Sequence, residues 1–267
     1  MNFDSDITDS LRNILTLSEY TTLEWLFQCI LNRYAFQTCF FLLSVLKHMH
    51  LLPFRIGITG SIATGKSTAV KELRALNCSI IDADEIARTL FHKFHISYYL
   101  LWFFFGKQVF DKNAVDRKKL STIIFEHPSK RKLLNFITHP FVVLKMMWYY
   151  FLFCLKREKY VFFDIPLLYE SSLDKYMNQV WVIYVDLESQ KLRLISRMRG
   201  NEPIESIDLH TLNQEEQEML KRINTQLSIE EKQARANIVV KNTGSVVELN
   251  ERIRYLVSSL DSDDPNL

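Results

Sequence analysis

Short apolar runs alternate with stretches of helical spacing from Phe54 onward. The apolar runs predict buried strands, and they are Phe54–Ile58, Cys78–Ile81, Tyr160–Asp164, Gln179–Val185 and Asn237–Val240. The predicted helices are Ser67–Leu76, Glu85–Phe91, Arg117–Phe125, Pro128–Thr138, Pro140–Lys156, Glu188–Arg199 and Val246–Leu260. Strands alternating with helices predict an α/β fold, a parallel sheet with helices on both faces. In such sheets ligands bind at the carboxyl ends of the strands.

The N-terminal segment, residues 1–52, precedes this pattern. Its first 20 residues carry four acids against a lone Arg12, which excludes an Arg-rich mitochondrial presequence. The cleanest apolar stretch, Tyr34–Leu46, is about 13 residues long, and a membrane span needs about 20. We expect a helix packed on the domain, or a poorly ordered extension, in a cytoplasmic protein. The alternative, which we do not favour, is membrane association through residues 21–52.

Composition restricts the class of protein further. Hydrophobic residues make up 48% of the chain and charged residues 24%, a balance that is typical of a globular protein. The net charge of +2 without a basic run argues against a nucleic-acid partner. The four scattered cysteines suggest neither a zinc site nor a disulfide framework, so we expect a reducing compartment.

Glycine is concentrated in one place. The chain has six glycines, and Gly57, Gly60 and Gly65 fall within nine residues of one another. Gly60–Ser67 fits the phosphate-binding pattern G-x-x-x-x-G-K-[ST] at every fixed position, between a strand and a helix. Backbone N–H groups of such a loop face phosphate oxygens, Lys66 reaches the β- and γ-phosphates, and the Ser67 hydroxyl is placed to bind Mg²⁺. The residues assigned to the nucleotide here are Gly60, Ser61, Ile62, Ala63, Thr64, Gly65, Lys66, Ser67 and Thr68.

Other signals separate the classes of phosphate-loop protein. A GTPase should carry an N-K-x-D motif, and Lys241–Gly244 does not fit it. A mechanical ATPase usually ends an apolar strand in adjacent acids, whereas Phe162–Ile165 offers only one. A small-molecule kinase needs a base, a helical acceptor region and an Arg-rich lid, and each has a candidate in this chain.

The chain resembles the dephospho-coenzyme A (dephospho-CoA) kinase family from about Phe54 to Leu260. The segments that carry the resemblance occur in the family's order and are Gly57–Thr68, Ile81–Asp84 with Ile86–Arg88, Asp116–Leu120, Ile137–Pro140, Asp164–Glu170, Arg193 with Arg197, and Arg222–Gln226. The resemblance implies ATP-dependent phosphorylation of the ribose 3′-hydroxyl of dephospho-CoA, the last step of coenzyme A synthesis, with Mg²⁺. It also implies a phosphate-loop core, an inserted helical acceptor-binding part at about 89–158 and a lid at about 198–225, within a domain at 53–260 followed by a tail at 261–267.

Individual roles follow from the same resemblance. Asp84 is the candidate general base, with a helix N-cap as its structural alternative. Lys66 and Arg197 complete the catalytic set, while Arg193 and, more weakly, Arg222 and Gln226 are assigned to ATP. The acceptor side is assigned to Asp82, Arg88, His139, Asp164, Leu167 and Leu168. Ordinary alternatives are a surface ion pair for Arg88, a structural histidine that ends a helix at His139, and a solvated arginine face.

Two departures from the family pattern fall in the acceptor region and the lid. Thr89–Gly106 is strongly aromatic and lacks Pro or Gly before Gly106, and Gly200–Thr211 is an acidic insertion. They keep two other functions open. One is a kinase for another small acceptor. The other is a non-catalytic nucleotide-binding protein, either free or associated with a membrane.

Overall fold

The structure, a computed structural model, describes residues 52–92, 96–111, 114–209, 211–223 and 226–261. In chain order, the strands of these residues are β1 (Phe54–Gly60), β2 (Ile80–Asp82), β3 (Phe110–Asp111), β4 (Ala114–Val115), β5 (Tyr160–Asp164), β6 (Gln179–Tyr184) and β7 (Ile238–Lys241). The α-helices are α1 (Lys66–Ala75), α2 (Ala83–Thr89), α3 (Ile96–Phe105), α4 (Arg117–Glu126), α5 (Pro128–Leu155), α6 (Leu187–Met198), α7 (Gln214–Ile223), α8 (Ile229–Arg235) and α9 (Val246–Asp261). Short 3₁₀ segments occupy Lys107–Val109, Leu173–Tyr176 and Ile204–Ser206.

Two compact units make up the described chain. The sheet unit consists of Pro53–Asp82 and the chain from Lys156 onward, and the helical unit consists of Ala83–Leu155. The five strands of the sheet unit lie in the order β2-β5-β1-β6-β7, and every neighbouring pair is parallel. All carboxyl ends therefore meet at one edge of the sheet, as the alternating pattern predicted.

The core of the sheet unit explains why β1 lies at the centre. Ile56 and Ile58 are completely buried, as are Phe162 on β5 and Trp181 on β6. The Phe162 and Trp181 rings meet edge to face, with centroids 5.3 Å apart. Apolar side chains of α1 and α9 pack against this cluster. Burial of each large apolar side chain contributes about 1.5–3 kcal/mol, so the site at the strand ends rests on a rigid base.

The helical unit has its own core. Leu101 and Phe105 of α3 pack with Leu120 of α4 and with Leu134 and Ile137 of α5. The aromatic stretch Thr89–Gly106 is thus helical over Ile96–Phe105. Leu100, Leu101, Phe104 and Phe105 of this helix contribute to the core, whereas Tyr99 is 55% exposed.

The predicted helix boundary at His139–Pro140 is wrong. A single helix, α5, runs through both residues, with Pro140 inside it. Proline removes one backbone donor and normally ends or kinks a helix. Buried side chains lie on both sides of Pro140, at Ile137 and Met146, so packing of one continuous helix against the unit outweighs this local cost.

One described helix is long and apolar enough to cross a membrane, by length and composition only. It covers Ser129–Leu155, and 17% of its most apolar window is buried. Since helices that pack in soluble proteins pass the same test, this helix is weak evidence for a membrane protein. Residues 1–51 lie outside the described residues, and the expectations for residues 21–52 stay predictions.

Candidate active site

The loop after β1 has the two glycines that its geometry requires. A Cβ on Gly60 would lie 2.6 Å from Thr64 Oγ1 and 3.0 Å from the Ile183 carbonyl oxygen. Gly65 has a φ of +92°, and a Cβ there would lie 2.1 Å from Asn242 Nδ2. Both positions therefore exclude any side chain, which explains the spacing of the motif.

The N-terminus of α1 provides an electropositive end beside the loop. Gly65 precedes the helix, no side chain caps it, and its first turn contains no acidic residue. The first N–H groups of a helix carry partial positive charge and point toward the preceding loop. The site therefore suits a phosphate group. Ser67 lies in this first turn and is exposed.

The lysine of the loop is paired with a buried carboxylate. Lys66 Nζ donates a hydrogen bond to Asp164 Oδ1. Asp164 is the last residue of β5 and is 5% exposed. Strand register places Asp164 beside Asp82 on β2, and opposite Ile58 on β1. The loop lysine and two carboxylates thus share one edge of the sheet.

Asp82 also has a partner within the sheet unit. Arg74 Nη2 donates to Asp82 Oδ2 over 3.2 Å, and half of the arginine side chain is exposed. An exposed pair of this kind contributes little to stability. The carboxylate of Asp82 consequently has a weakly held partner that a ligand can replace.

A cavity of about 240 Å³ lies beside the phosphate-binding loop. Ala63 and Gly65 of the loop and Thr68 of α1 form part of its wall, and Arg193 and Arg197 of α6 form another part. The remaining lining residues are Asn201, Asn242, Gly244, Val246 and Leu249. The structure thus brings the two predicted arginines to the loop, and makes the cavity large enough for part of a nucleotide.

Two residues that line the cavity belong to a segment without a recognised motif. Asn242 and Gly244 belong to the segment that fails as an N-K-x-D motif, yet they follow β7 at the carboxyl edge of the sheet. Position after a strand could have identified them, since ligands bind at this edge. Gln190 was missed as well. It is completely buried in the first turns of α6, and its Nε2 donates to the Ile62 carbonyl over 2.7 Å.

Two leucines in the segment after β5 were assigned the same role, but they differ in solvent exposure. Leu168 is completely buried, and a Cβ added at Gly57 would lie only 2.7 Å from its Cδ2. Leu167 is 47% exposed. Leu168 is therefore a core residue of the sheet unit, whereas Leu167 is available for contact with a ligand.

A buried lysine holds the same segment. Lys232 Nζ lies 2.9 Å from Glu170 Oε1 and 3.3 Å from the Pro166 carbonyl oxygen, which also accepts from Thr59 Oγ1 at 2.9 Å. The Lys232 side chain is 0% exposed. Burial of a charge without such partners would be very costly, so the pairing fixes this segment. No motif in the sequence pointed to Lys232.

The helical unit carries the other predicted acceptor residues. Asp84 lies inside the first turn of α2, and Arg88 lies one turn later; both are exposed. Asp84 therefore neither ends β2 nor precedes the helix as a cap, because α2 already begins at Ala83. His139 is exposed within α5. Lys145 Nζ donates to Thr89 Oγ1 over 2.8 Å and joins α5 to the end of α2.

The segment after α6 is anchored by an arginine that binds a carboxylate through two nitrogens. Arg199 Nε and Nη2 donate to Glu216 over 2.6 Å and 3.1 Å. The hydrogen bond from Arg199 holds the pKa of Glu216 below its usual range. Asn213 and Glu216 also exchange backbone-to-side-chain hydrogen bonds of 2.9 Å, which forms a capping box at α7. The predicted acidic insertion thus joins α6 to α7.

Two residues assigned to ATP follow this anchor. Arg222 lies in α7, and its side chain is not among those that the structure describes. Gln226 is half-buried, and its Oε1 makes no hydrogen bond within the described residues. Their roles stay predictions.

No group of three or more metal-binding His, Cys, Asp or Glu side chains occurs in the described part of the chain.

Comparison with known proteins points to one family. The profile of the dephospho-CoA kinase family matches residues 54–248. A Danio rerio protein described as dephospho-CoA kinase domain-containing is 38% identical over 210 residues, which cover 78% of this chain and 86% of the relative. The dephospho-CoA kinase of Fusobacterium nucleatum is 36% identical over 206 residues, with 77% and 97% covered.

Solved structures agree with this match. A Thermus thermophilus protein has a TM-score of 0.61 and 28% identity, covering 78% of this chain and 98% of its own. Dephospho-CoA kinase from Campylobacter jejuni has a TM-score of 0.52 with 24% identity and the same coverage, which shows the fold alone. The predicted α/β fold with a parallel sheet flanked by helices is confirmed.

Proposed function

This chain belongs to the dephospho-CoA kinase family, and we propose that it transfers the γ-phosphoryl group of ATP to the 3′-hydroxyl of the dephospho-CoA ribose. The products are coenzyme A and ADP, and the reaction completes coenzyme A synthesis. One observation carries the proposal. The loop lysine, Lys66, is held by Asp164 at the strand ends, next to a cavity that Arg193 and Arg197 line.

ATP binds through its phosphates to the Gly60–Ser67 loop. Backbone N–H groups and the N-terminus of α1 hold the β-phosphate, and Lys66 exchanges Asp164 for the β- and γ-oxygens. The cavity beside the loop receives the nucleoside end. This arrangement supports the assignment because the cavity walls include two residues of the loop as well as Asn242 and Gly244.

Mg²⁺ fits the oxygen donors that this edge of the sheet provides. The Ser67 hydroxyl is exposed in the first turn of α1, and the Asp82 and Asp164 carboxylates end neighbouring strands. Magnesium prefers such oxygen ligands and usually keeps several waters. Ser67 would hold the ion directly, and the carboxylates would hold its waters. When bound, Mg²⁺ supplies positive charge to the phosphate oxygens.

The acceptor hydroxyl is assigned to Asp84. The 3′-oxygen forms a bond to the γ-phosphorus while the bond between that phosphorus and the β–γ bridging oxygen breaks. The hydroxyl proton passes to the Asp84 carboxylate, and the leaving electron pair stays on ADP. Arg197 stabilises negative charge on the transferred group. Arg88, His139 and Leu167 are assigned to the acceptor because their side chains are accessible.

The test is direct formation of product. Purified protein is mixed with ATP, Mg²⁺ and dephospho-CoA, and coenzyme A is followed by chromatography. We expect product from the wild type and a loss of roughly 10³-fold or more in Lys66→Ala. Lys71→Ala, on an exposed position of the same helix, is the matched control and should keep full activity. ATP binding without coenzyme A formation would reject the proposal, and a panel of other small alcohol acceptors would then identify the substrate.

We further propose a cytoplasmic location. The support for a soluble protein is the match to the dephospho-CoA kinase family. The apolar helix α5 also contributes buried side chains to the helical unit, among them Leu134, Ile137 and Met146. Fractionation of lysed cells should leave the protein in the supernatant at both low and high salt. Recovery in the membrane pellet after a high-salt wash would contradict this location.

A further inference from the structure

Two buried side-chain amides hold the phosphate-binding loop from outside. Gln190 Nε2 donates to the Ile62 carbonyl oxygen over 2.7 Å, and Asn242 Nδ2 donates to the Thr64 carbonyl oxygen over 2.8 Å. Gln190 is completely buried, and Asn242 is 7% exposed. We propose that Gln190 and Asn242 are positioning residues, which fix the loop in its anion-binding shape and thereby set the affinity for ATP. The inference rests on the proposed function only in taking ATP as the ligand.

The shape of the loop creates a need for these donors. A loop that turns successive N–H groups toward an anion turns its carbonyl groups outward. Buried carbonyl groups require hydrogen-bond donors. The Ser61 carbonyl obtains its donors locally, from the Thr64 backbone nitrogen at 3.3 Å and the Thr64 hydroxyl at 2.9 Å. The carbonyls of Ile62 and Thr64 obtain theirs from Gln190 and Asn242.

The two donors lie on either side of a strained residue. Ala63 has a φ of +62°, in the left-handed region that side chains rarely adopt. Such a conformation persists only where the surrounding structure determines it. Carbonyls immediately before and after Ala63 are bound by the two amides. Removal of either donor frees one side of the strained residue, and the loop can then relax away from its anion-binding shape.

Each amide is itself fixed by its surroundings. Gln190 lies in α6, three residues before Arg193, and the helix is capped by Asp186, whose side chain accepts from the Ser189 nitrogen at 2.8 Å. Gln190 Oε1 makes no hydrogen bond within the described residues, so the Ile62 carbonyl orients the amide. The Asn242 amide packs where a Cβ of Gly65 would be, 2.1 Å away. The absence of a side chain at Gly65 therefore leaves room for the Asn242 amide.

The test replaces a donor by an acceptor of equal size. In Gln190→Glu, a carboxylate oxygen takes the place of the nitrogen that faces the Ile62 carbonyl, and Asn242→Asp makes the same change at Thr64. We expect the dissociation constant for ATP, measured by calorimetry, to rise about tenfold or more in each variant. The KM for dephospho-CoA should change by less than about twofold, because the acceptor does not bind the loop.

Gln179→Glu is the matched control. The Gln179 side chain accepts from Trp181 Nε1 over 3.0 Å, and a carboxylate can accept the same bond. This variant should bind ATP as the wild type does. Thermal unfolding without ligand separates a local effect on the loop from a general loss of structure.

Three results would overturn the inference. The first is wild-type ATP affinity in a folded Gln190→Glu or Asn242→Asp variant. The second is an equal loss of affinity for ATP and for dephospho-CoA. The third is a failure of both variants to fold, which would assign the amides to stability alone. Because ATP binding is measured without transfer, a wild type that binds ATP but forms no coenzyme A would reject the proposed function and leave this test intact.

Discussion

The sheet unit and the helical unit specify their functional residues by different physical means. In the sheet unit, close contacts leave no room for a side chain at Gly60 or Gly65, and strand register fixes Asp164 at the strand ends. In the helical unit, Asp84 and Arg88 are exposed on a short helix, while aliphatic side chains and Phe105 form the buried core. The difference teaches that backbone geometry constrains the proposed nucleotide site closely, whereas the residues proposed for the acceptor lie on exposed positions above a separate apolar core.

The largest expected effect that distinguishes the two units is a fall in kcat on substitution of Asp84. Asp84→Asn removes the proposed base but keeps the size of the side chain, so kcat should fall by about 10²–10⁴-fold. ATP affinity should stay unchanged, because the change lies outside the loop. Steady-state kinetics and ATP calorimetry measure both. Glu85→Gln, at the neighbouring exposed position, is the control and should retain wild-type kcat. A similar kcat for Asp84→Asn and the wild type would remove the base from the mechanism.

The sequence predicted the sheet unit well for an identifiable reason. Apolar runs mark β1, β5 and β6 because these central strands are buried on both faces, and the loop motif reflects steric limits at two glycines. The helix boundary at Pro140 was wrong because local propensity is weaker than packing of one long helix. Gln190 and Lys232 were missed because each acts through a contact distant in sequence, with Ile62 and with Pro166. Periodicity carries no signal for such contacts.

The second prediction concerns stability of the sheet unit. Lys232→Met leaves the Glu170 carboxylate without its buried partner, and we expect a loss of about 3–5 kcal/mol in the free energy of unfolding. Urea denaturation measures this loss. Lys221→Met, at an exposed position of α7, should change stability by less than about 0.5 kcal/mol.

A double variant tests the cause of that loss. Lys232→Met with Glu170→Leu removes both charges, so it should recover part of the stability lost in the single variant. If the double variant is no more stable than Lys232→Met, the hydrogen bonds of Lys232 to the Pro166 carbonyl and of Leu227 N to Glu170, rather than charge pairing, account for the effect.

The third prediction uses the core of the helical unit. Leu101 is completely buried, and Leu101→Ala should lower the free energy of unfolding by about 2–5 kcal/mol through lost burial and a cavity. If the two units carry separate tasks, the folded variant should keep wild-type ATP affinity and show a raised KM for dephospho-CoA. Calorimetry and kinetics below the unfolding temperature test this. Equal losses for both substrates would contradict the separation of tasks. Leu100→Ala, at a partly buried neighbour, is the milder comparison.

The smallest expected effect is the pH dependence of the link between α6 and α7. Arg199 lowers the pKa of Glu216 in the folded protein, so the carboxylate adds stability above its unfolded pKa of about 4.3. That contribution disappears as the pH falls through the lowered folded pKa. Glu216→Gln should therefore be slightly less stable than the wild type at neutral pH, and this difference should shrink at acid pH, below about 4. Thermal unfolding across this range measures the difference, and Glu215→Gln, exposed in the same turn, should show none. A difference that persists unchanged at the lowest pH would mean that the shape of the side chain, rather than its charge, joins the two helices.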